Sequence, residues 1–162
     1  MSNSALPNGA SFHPNRRPIR GLLTYVDAPS NKAAIGAGNH RVALTRRAAL
    51  EAIHTLVGMG INYDPDHSGH NPQRKVGIVT HAEVLEKWIE ISGYVFAWDF
   101  PEVMVALLTR EAELGMSFET TACKIKNKRA KVWSITSCTF TGAAILRSDK
   151  TAYPGTWVRL AF

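Results

Sequence analysis

Hydrophobic and polar residues alternate along several short stretches of the chain, and this pattern predicts β-strands. Turn residues and two longer segments with a helical spacing separate the stretches. The predicted strands cover residues 19–26, 41–44, 75–82, 88–98, 116–125, 132–140 and 156–160. Most of the connections are short, which favours antiparallel neighbours.

Two segments have the spacing of an amphipathic helix instead. In the first, Thr45 is placed to cap the helix, apolar residues recur every three or four positions, and Gly58 is the predicted end. In the second, Asp99 precedes a glutamate by three positions, the spacing of a capping box. Pro101 suits the first turn of this helix, and Gly115 is its predicted end.

Together these elements predict an α+β, β-rich fold, an antiparallel β-barrel of about seven strands flanked by helices. Residues 1–17 contain asparagine, serine, proline, glycine and arginine without a period, and we predict a flexible leader there. Residues 18–162 then form a single domain.

Composition excludes some classes of protein. The 162 residues are 45% hydrophobic and 20% charged, which is enough apolar material for a core and excludes a disordered chain. No stretch approaches the roughly 18 apolar residues of a membrane-spanning helix, and we expect no secretory signal at the polar start. The two cysteines, Cys123 and Cys138, are expected to be buried thiols. The net charge of +6 permits a nucleic-acid partner without requiring one.

The polar loop 64–72 carries four side chains that can bind a metal or exchange a proton: Asp64, Asp66, His67 and His70. These residue types bind zinc, but the two histidines are separated by three positions within a loop and lack the spacing of a helical zinc pair. A solvated loop, a metal site and a general base are therefore all compatible with the sequence.

Ser117 is the strongest candidate nucleophile. It follows a predicted helix end and opens a predicted strand, so ordered elements on both sides would hold its hydroxyl in place. A serine hydroxyl is a weak nucleophile until a base takes its proton. A serine in this position can equally do no more than satisfy local backbone groups, and the position alone leaves both roles open.

Two short motifs resemble those of the phage prohead proteases, which act in capsid maturation. The sequence HNPQRKVG, which begins at His70, resembles the histidine motif of this family, in which an aliphatic residue and a glycine open a strand. The sequence GMSFE around Ser117 resembles the family's serine motif, and the intervening hairpin and helix are also similar. Residues 140–145 resemble the segment that closes such domains, so the resemblance extends over about residues 19–153.

The resemblance implies a serine endopeptidase with a herpesvirus-protease-like fold. Ser117 would be the nucleophile and His70 the base, with no cofactor and no metal. His67 is the competing candidate for the base, but only His70 has the aliphatic–glycine pair at the family's offset. The implied substrate is the major capsid protein, the scaffold or the protease itself, inside the viral procapsid in the host cytoplasm. The same resemblance suggests a homodimer, and it implies no membrane partner.

The third catalytic residue departs from the family's pattern. Members resemble one another in an acidic residue on the strand after the serine motif, and Ser137 occupies that position here. The base could instead be oriented by a backbone carbonyl, by Ser137, or by Glu119 or Asp99 from elsewhere in the chain. An orienting carboxylate contributes orders of magnitude to the rate of such enzymes.

Gly142 and Ala143 are candidates for an oxyanion loop. A turn of small residues lets backbone N–H groups approach a substrate carbonyl. A tight turn that only closes the barrel is an equally good interpretation of the same residues.

Two other functions stay open. Without an acidic third residue, the chain could be a catalytically inactive prohead or scaffold component that keeps the protease fold. The basic turn at 124–131 and the charge of +6 also fit a small nucleic-acid-binding β-barrel. No aromatic residues for base stacking alternate with these cations, so we expect any contact with nucleic acid to be non-specific.

Overall fold

A computed structural model describes residues 13–34, 36–63 and 71–161, and residues 3–5 by their backbone. Within these ranges the chain forms nine strands, two α-helices and short 3₁₀ turns. The strands are β1 (Asn3–Ala5), β2 (Arg16–Tyr25), β3 (Arg41–Leu44), β4 (Gly60–Tyr63), β5 (Lys75–Val84), β6 (Trp88–Phe96), β7 (Leu114–Ile125), β8 (Val132–Arg147) and β9 (Trp157–Leu160). The helices are α1 (Arg46–Ala52) and α2 (Pro101–Thr109).

The nine described strands form one sheet that curls into a half-barrel. Its main order is β3–β8–β4–β5–β6–β2–β9, with β1 added to β5 and β7 added to β8. The curl brings β7 close to the opposite end of the sheet, where the N–H of Met116 donates to the hydroxyl of Thr156, 3.0 Å away and just before β9. The predicted β-rich, barrel-like α+β fold is confirmed. The pairing is mixed rather than antiparallel, because β3 and β4 run parallel to β8.

Strand β8 has neighbours along both edges. Strand β7 pairs with it from Leu114 to Ile125, and the other edge is covered first by β3 and then by β4. The sequence pattern predicts a strand that ends at Phe140 and then a separate segment with a turn. The structure instead has one strand of 16 residues, so the predicted turn at Gly142 is not formed.

Helix α1 begins as the sequence predicts. The hydroxyl of Thr45 accepts a hydrogen bond from the N–H of Ala48 at 3.1 Å, which satisfies one of the free donors of the first turn. A 3₁₀ turn follows the helix, and Gly58, at φ +86°, takes the chain into the left-handed region that favours glycine. Neither helix of the described ranges is long and apolar enough to span a membrane.

Helix α2 begins differently from the prediction. Its N-cap is Phe100, which makes no side-chain capping bond, and Pro101 occupies the first turn. The carboxylate of Asp99 instead accepts a hydrogen bond from the side-chain amide of Asn15, 2.8 Å away. The predicted capping box is wrong because this contact takes Asp99 away from the helix.

The end of α2 also differs. The helix ends at Thr109, a 3₁₀ turn follows, and Gly115 lies inside β7. A Cβ atom at Gly115 would lie 2.8 Å from the hydroxyl oxygen of Thr156. Glycine is therefore needed at this position for close packing of β7 against the β9 end of the sheet, and it does not end the helix.

Two segments of the predicted leader take part in the sheet. Residues Asn3–Ala5 pair with β5, and Arg16 and Arg17 pair with β6 as the first residues of β2. The boundary predicted at residue 18 thus falls within a strand.

One continuous apolar core joins the sheet to both helices. The buried residue Met116, which directly precedes Ser117, belongs to it. Large side chains that are almost wholly buried include Leu23, Leu44, Ile53, Leu56, Ile61, Ile89, Ile91, Leu107, Met116 and Phe140.

Candidate active site

Ser117 lies near the beginning of β7, directly opposite Ala144 of β8. Its side chain is half-buried. The preceding residue, Met116, is only 1% exposed, and its N–H is held by Thr156. The backbone that carries Ser117 is therefore fixed by the core on one side and by the β9 end of the barrel on the other.

Ser117, Ala144 and Asn62 form a row across three adjacent strands, β7, β8 and β4. Residues that pair directly place their side chains on the same face of a sheet. Two strand spacings separate the outer members, so their Cα atoms are roughly 10 Å apart. The middle member is small and wholly buried, so its side chain does not separate the two polar residues.

Glu119 lies two residues after Ser117 and therefore on the same face of β7. Its Oε1 accepts a hydrogen bond from Nδ2 of Asn62 at 2.5 Å. The carboxylate crosses Gly142, where a Cβ atom would lie 2.6 Å from Oε1 and 3.1 Å from the carbonyl oxygen of Gly60. The glycine at position 142 therefore provides the space in which Glu119 reaches Asn62.

Asn62 connects this carboxylate to the end of the polar loop. Its side chain is 1% exposed, and its Oδ1 accepts a hydrogen bond from the N–H of Asn71 at 3.3 Å. Both the Nδ2 and the Oδ1 of this buried amide thus take part in hydrogen bonds, as is usual for buried polar groups. Asn62 is not among the site residues that the sequence predicts; the one available signal is a polar residue between two apolar ones in a short strand.

His70 directly precedes Asn71 in the chain but lies outside the described residues, as do Asp64, Asp66 and His67. The role of His70 as a base thus stays a prediction. Among the residues that the structure does describe, no three histidine, cysteine, aspartate or glutamate side chains are grouped to hold a metal ion.

Ser137, predicted as an orienting group, is not brought together with Ser117. It pairs with Lys124 in the distal part of the β7–β8 pair. Seven positions of β8 separate it from Ala144, about 23 Å along the strand at 3.3 Å per residue. Asp99 accepts a hydrogen bond from Asn15, and no contact among the described residues joins it to Ser117.

Gly142 and Ala143, predicted as an oxyanion loop, lie within strand β8. They pair with Glu119 and Phe118 of β7, and Ala143 also pairs with Ile61 of β4. Their backbone thus belongs to the sheet rather than to a loop.

A cleft of about 610 Å³ opens beside β7. Ser117 and Glu119 line it, as do the basic side chains Lys128 and Lys150. The remaining walls are mostly apolar and include Leu23, Ala34, Ala37, Val42, Ile125, Trp133 and Ile135. The volume lies in the range of sites that bind small ligands or a few residues of a peptide.

Tyr153 holds one wall of the cleft in place. Its hydroxyl donates to the carbonyl oxygen of Ala28 at 2.7 Å, and the carbonyl oxygen of Val42 lies 3.1 Å away. Burial raises the pKa of this phenol from 10.0 to about 12. The neutral phenol therefore links the segment after β2 to strand β3.

The two cysteines face each other across a bulge in the β7–β8 pair. Two residues of β7, Ala122 and Cys123, oppose Cys138 of β8, and Ala122 has a φ of +53°. Cys123 is exposed, which contradicts the prediction of two buried thiols. Burial, with a smaller contribution from Cys123, raises the pKa of Cys138 to about 12, so this thiol is un-ionised at neutral pH and a poor nucleophile.

Neither a family model nor a curated protein matches the sequence. Among solved structures, the fold is similar to that of KSHV protease, crystallised in complex with a hexapeptide phosphonate inhibitor. The sequence identity is 12% and the TM-score is 0.46, and the similarity covers 81% of this chain and 59% of that one. The chain thus spans about three fifths of the length of the viral protease chain.

Proposed function

We propose that the protein is a serine endopeptidase in which Ser117 is the nucleophile, His70 is the base and Glu119 orients the base. One observation carries the proposal. The hydrogen bonds from Asn71 to Asn62 and from Asn62 to Glu119 join the residue after His70 to the face of β7 that carries Ser117. The histidine segment and the serine strand, which resemble a protease in sequence, thus share one hydrogen-bond network.

The spacing on β7 suits a histidine between a hydroxyl and a carboxylate. Ser117 and Glu119 are separated by two strand positions, about 7 Å between Cα atoms. One imidazole ring with a hydrogen bond at each nitrogen spans such a gap. Asn62 fixes one oxygen of the carboxylate and so sets its direction.

In the proposed reaction, the Oγ of Ser117 attacks the carbonyl carbon of the scissile peptide bond while His70 takes the hydroxyl proton. His70 then gives that proton to the leaving amine nitrogen, and an acyl-enzyme remains on Ser117. Water then attacks the acyl carbon while the same histidine takes a proton from it. As the ester bond to Ser117 breaks, the histidine returns that proton to the Oγ of Ser117 and the new carboxyl end is released. Glu119 accepts the second N–H of the imidazole and stabilises its charged form.

The resemblance of the motifs to phage prohead proteases supports a particular substrate. We infer that the protein cleaves a capsid or scaffold protein, or itself, within a viral procapsid. Coexpression with the cognate capsid protein would give a shortened product with the wild-type chain and none with Ser117→Ala.

Labelling with a fluorophosphonate, followed by peptide mapping, tests the nucleophile. We expect modification at Ser117 in the wild type and none in Ser117→Ala. Ser137→Ala is the matched control and should label like the wild type, because Ser137 lies about 23 Å along the strand from the site. Glu119→Gln should slow labelling about a hundredfold or more, since it removes the orienting charge.

Two outcomes would contradict the proposal. One is a folded wild type that is not labelled, which would favour an inactive scaffold component with the same fold. The other is equal labelling of the wild type and Ser117→Ala, which would place the reactive group elsewhere.

A further inference from the structure

The end of β7 and the turn that leads to β8 carry five cations, which together form the basic hairpin: Lys124, Lys126, Lys128, Arg129 and Lys131. All five are exposed, and none forms an ion pair with another residue of the described ranges. The sequence contains no acidic residue between Glu119 and Asp149. The positive charge of the basic hairpin is therefore not compensated within its own strand pair.

The strand on the other side of β8 adds no negative charge. Strand β3 pairs in parallel with the first residues of β8, with Arg41 opposite Val132. The segment that contains β3, residues 28–50, also lacks acidic residues. Both segments around this end of the sheet thus favour an anionic partner.

The cleft extends from the candidate nucleophile to one cation of the basic hairpin, Lys128. Ser117 and Lys128 both line it, and the apolar side chains of Val42, Ile125 and Ile135 lie along its walls. Seven positions of β7 separate Ser117 from Lys124, about 23 Å at 3.3 Å per residue. An extended peptide of about seven residues spans that length.

Strand β7 also offers an edge for such a peptide. At the start of β7 the N–H of Met116 is already bonded to Thr156, but beyond Met116 no described residue pairs with the second edge of β7, where a strand can be added. The bulge at Ala122 and Cys123 interrupts this edge before the basic hairpin begins. Backbone pairing is thus available between Ser117 and the bulge, and side-chain charge is available beyond the bulge.

The same surface is poorly suited to nucleic acid. The ring of Trp133 is already stacked on His40, with the ring centres 4.2 Å apart, and its N–H donates to the carbonyl oxygen of Lys128 at 3.1 Å. Base stacking on Trp133 is therefore limited to the ring face that His40 does not cover. The carboxyl group of Glu119, which lines the cleft near Ser117, would repel a phosphate backbone.

From these observations we infer that the cleft binds an extended acidic polypeptide, with apolar side chains beside β7 and carboxylates on the basic hairpin. The inference rests on the proposed function, because it makes this polypeptide the substrate. It adds a specificity rule, namely that an acidic cluster lies about seven residues from the bond that is cleaved.

Binding to Ser117→Ala protein tests the inference without catalysis. The probe is a fluorescein-labelled peptide with a half of alternating valine and serine followed by a run of glutamates, and binding is measured by fluorescence anisotropy. The control peptide has glutamines in place of the glutamates. We expect tighter binding of the glutamate peptide and a loss of that advantage as salt is raised.

Two matched pairs of substitutions in the Ser117→Ala background locate the binding surface. Lys126→Ala/Lys128→Ala should weaken binding of the glutamate peptide about fivefold to tenfold, since two exposed ion pairs are lost. Lys87→Ala/Arg110→Ala removes the same charge from exposed positions elsewhere and should leave binding unchanged. Thermal unfolding of each variant checks that its fold is intact.

Three results would overturn the inference: equal binding of the two peptides, equal effects of the two double substitutions, or stronger binding of a thymidine oligonucleotide than of the glutamate peptide. Failure of the catalytic proposal is seen separately. If fluorophosphonate does not label Ser117 but charge-dependent binding is found, the binding surface stands without the chemistry. If labelling succeeds without charge-dependent binding, only the specificity rule is lost.

Discussion

The two halves of the β7–β8 pair differ in burial, charge and regularity. The inner half, residues 114–120 with 140–147, is mostly buried and carries Ser117 and Glu119. The outer half, residues 121–125 with 132–139, is mostly exposed or half-buried, contains the bulge and leads into the basic hairpin. One pair of strands thus combines a part that fixes the positions of reactive groups with a part that presents charge to solvent.

The neighbours of the two halves explain the difference. The inner half is enclosed by β4 on one side and by the β9 end of the barrel on the other, where Thr156 holds Met116. The outer half has β3 along one edge, and its bulge disrupts the ladder. Burial on both sides restricts the residue types that fit, whereas an exposed hairpin accepts charged ones.

The largest expected effect is a difference between two isoleucines. Ile145 of the inner half is 0% exposed, so Ile145→Ala should lower the free energy of unfolding by about 4 kcal/mol through lost burial and a cavity. Ile125 of the outer half is only partly buried, and Ile125→Ala should cost about 1 kcal/mol. Urea unfolding followed by circular dichroism measures both. Equal losses would show that the two halves do not differ in packing.

A smaller effect is expected at Gly142. Gly142→Ala places a Cβ atom against the Glu119 carboxylate and should cost about 2 kcal/mol in unfolding free energy, together with much of the labelling rate at Ser117. In a Glu119→Ala background the same substitution should cost clearly less stability, because the crowding carboxylate is gone. If Gly142→Ala lowers the free energy of unfolding equally in both backgrounds, the added Cβ atom is crowded mainly by the carbonyl oxygen of Gly60 and not by Glu119.

The expected effect at Tyr153 is smaller again and depends on pH. Tyr153→Phe should cost about 1 kcal/mol at neutral pH, since the carbonyl of Ala28 loses its donor. The folded pKa of about 12 lies above the ordinary value of 10.0, so the neutral phenol stabilises the fold fully below pH 10 and this contribution is lost as the pH rises toward 12.

The difference in unfolding free energy between the wild type and Tyr153→Phe should therefore shrink between pH 10 and 12. Denaturation curves at a series of alkaline pH values measure it. A difference that stays constant across this range would contradict the assignment of the raised pKa to this phenol.

The two cysteines of the outer half should differ in reactivity, with little effect on stability. Iodoacetamide should modify the exposed Cys123 first and Cys138 much more slowly, because a pKa raised from 9.0 to about 12 leaves about a thousandfold less thiolate. Mass spectrometry of tryptic peptides over time at pH 8 separates the two rates. Similar rates would mean that the outer half opens in solution and exposes Cys138.

The parts of the fold that depend on local signals were predictable from the sequence. The Thr45 cap depends on nearest neighbours, and both this cap and the strand at Arg41–Leu44 are found as predicted. Gly58, the predicted helix end, lies beyond the end of α1 at Ala52 and the 3₁₀ turn that follows it. The Asp99 cap was wrong because Asn15, distant in the chain, binds that carboxylate.

The glycines show why the rest of the fold and the site could not be predicted. The local sequence predicts a helix end at Gly115 and a turn at Gly142, yet both residues lie in strands where another chain segment comes close. A glycine that permits close packing has the same local sequence as one that permits a turn. Asn62 is not predicted for a related reason: Glu119 is brought to it by the pairing of β4 and β7 with β8, and Asn71 by the pairing of β4 with β5.

Strand β8 has a consequence for the motions of the site. Because it is bordered by β7 on one edge and by β3 and β4 on the other, its amide protons should be among the last to exchange with solvent deuterium. Ala144, the middle of the row between Ser117 and Asn62, belongs to this strand. Separating those two residues requires opening the slowest-exchanging part of the sheet, so their relative position should persist through the smaller fluctuations that expose loops and hairpins.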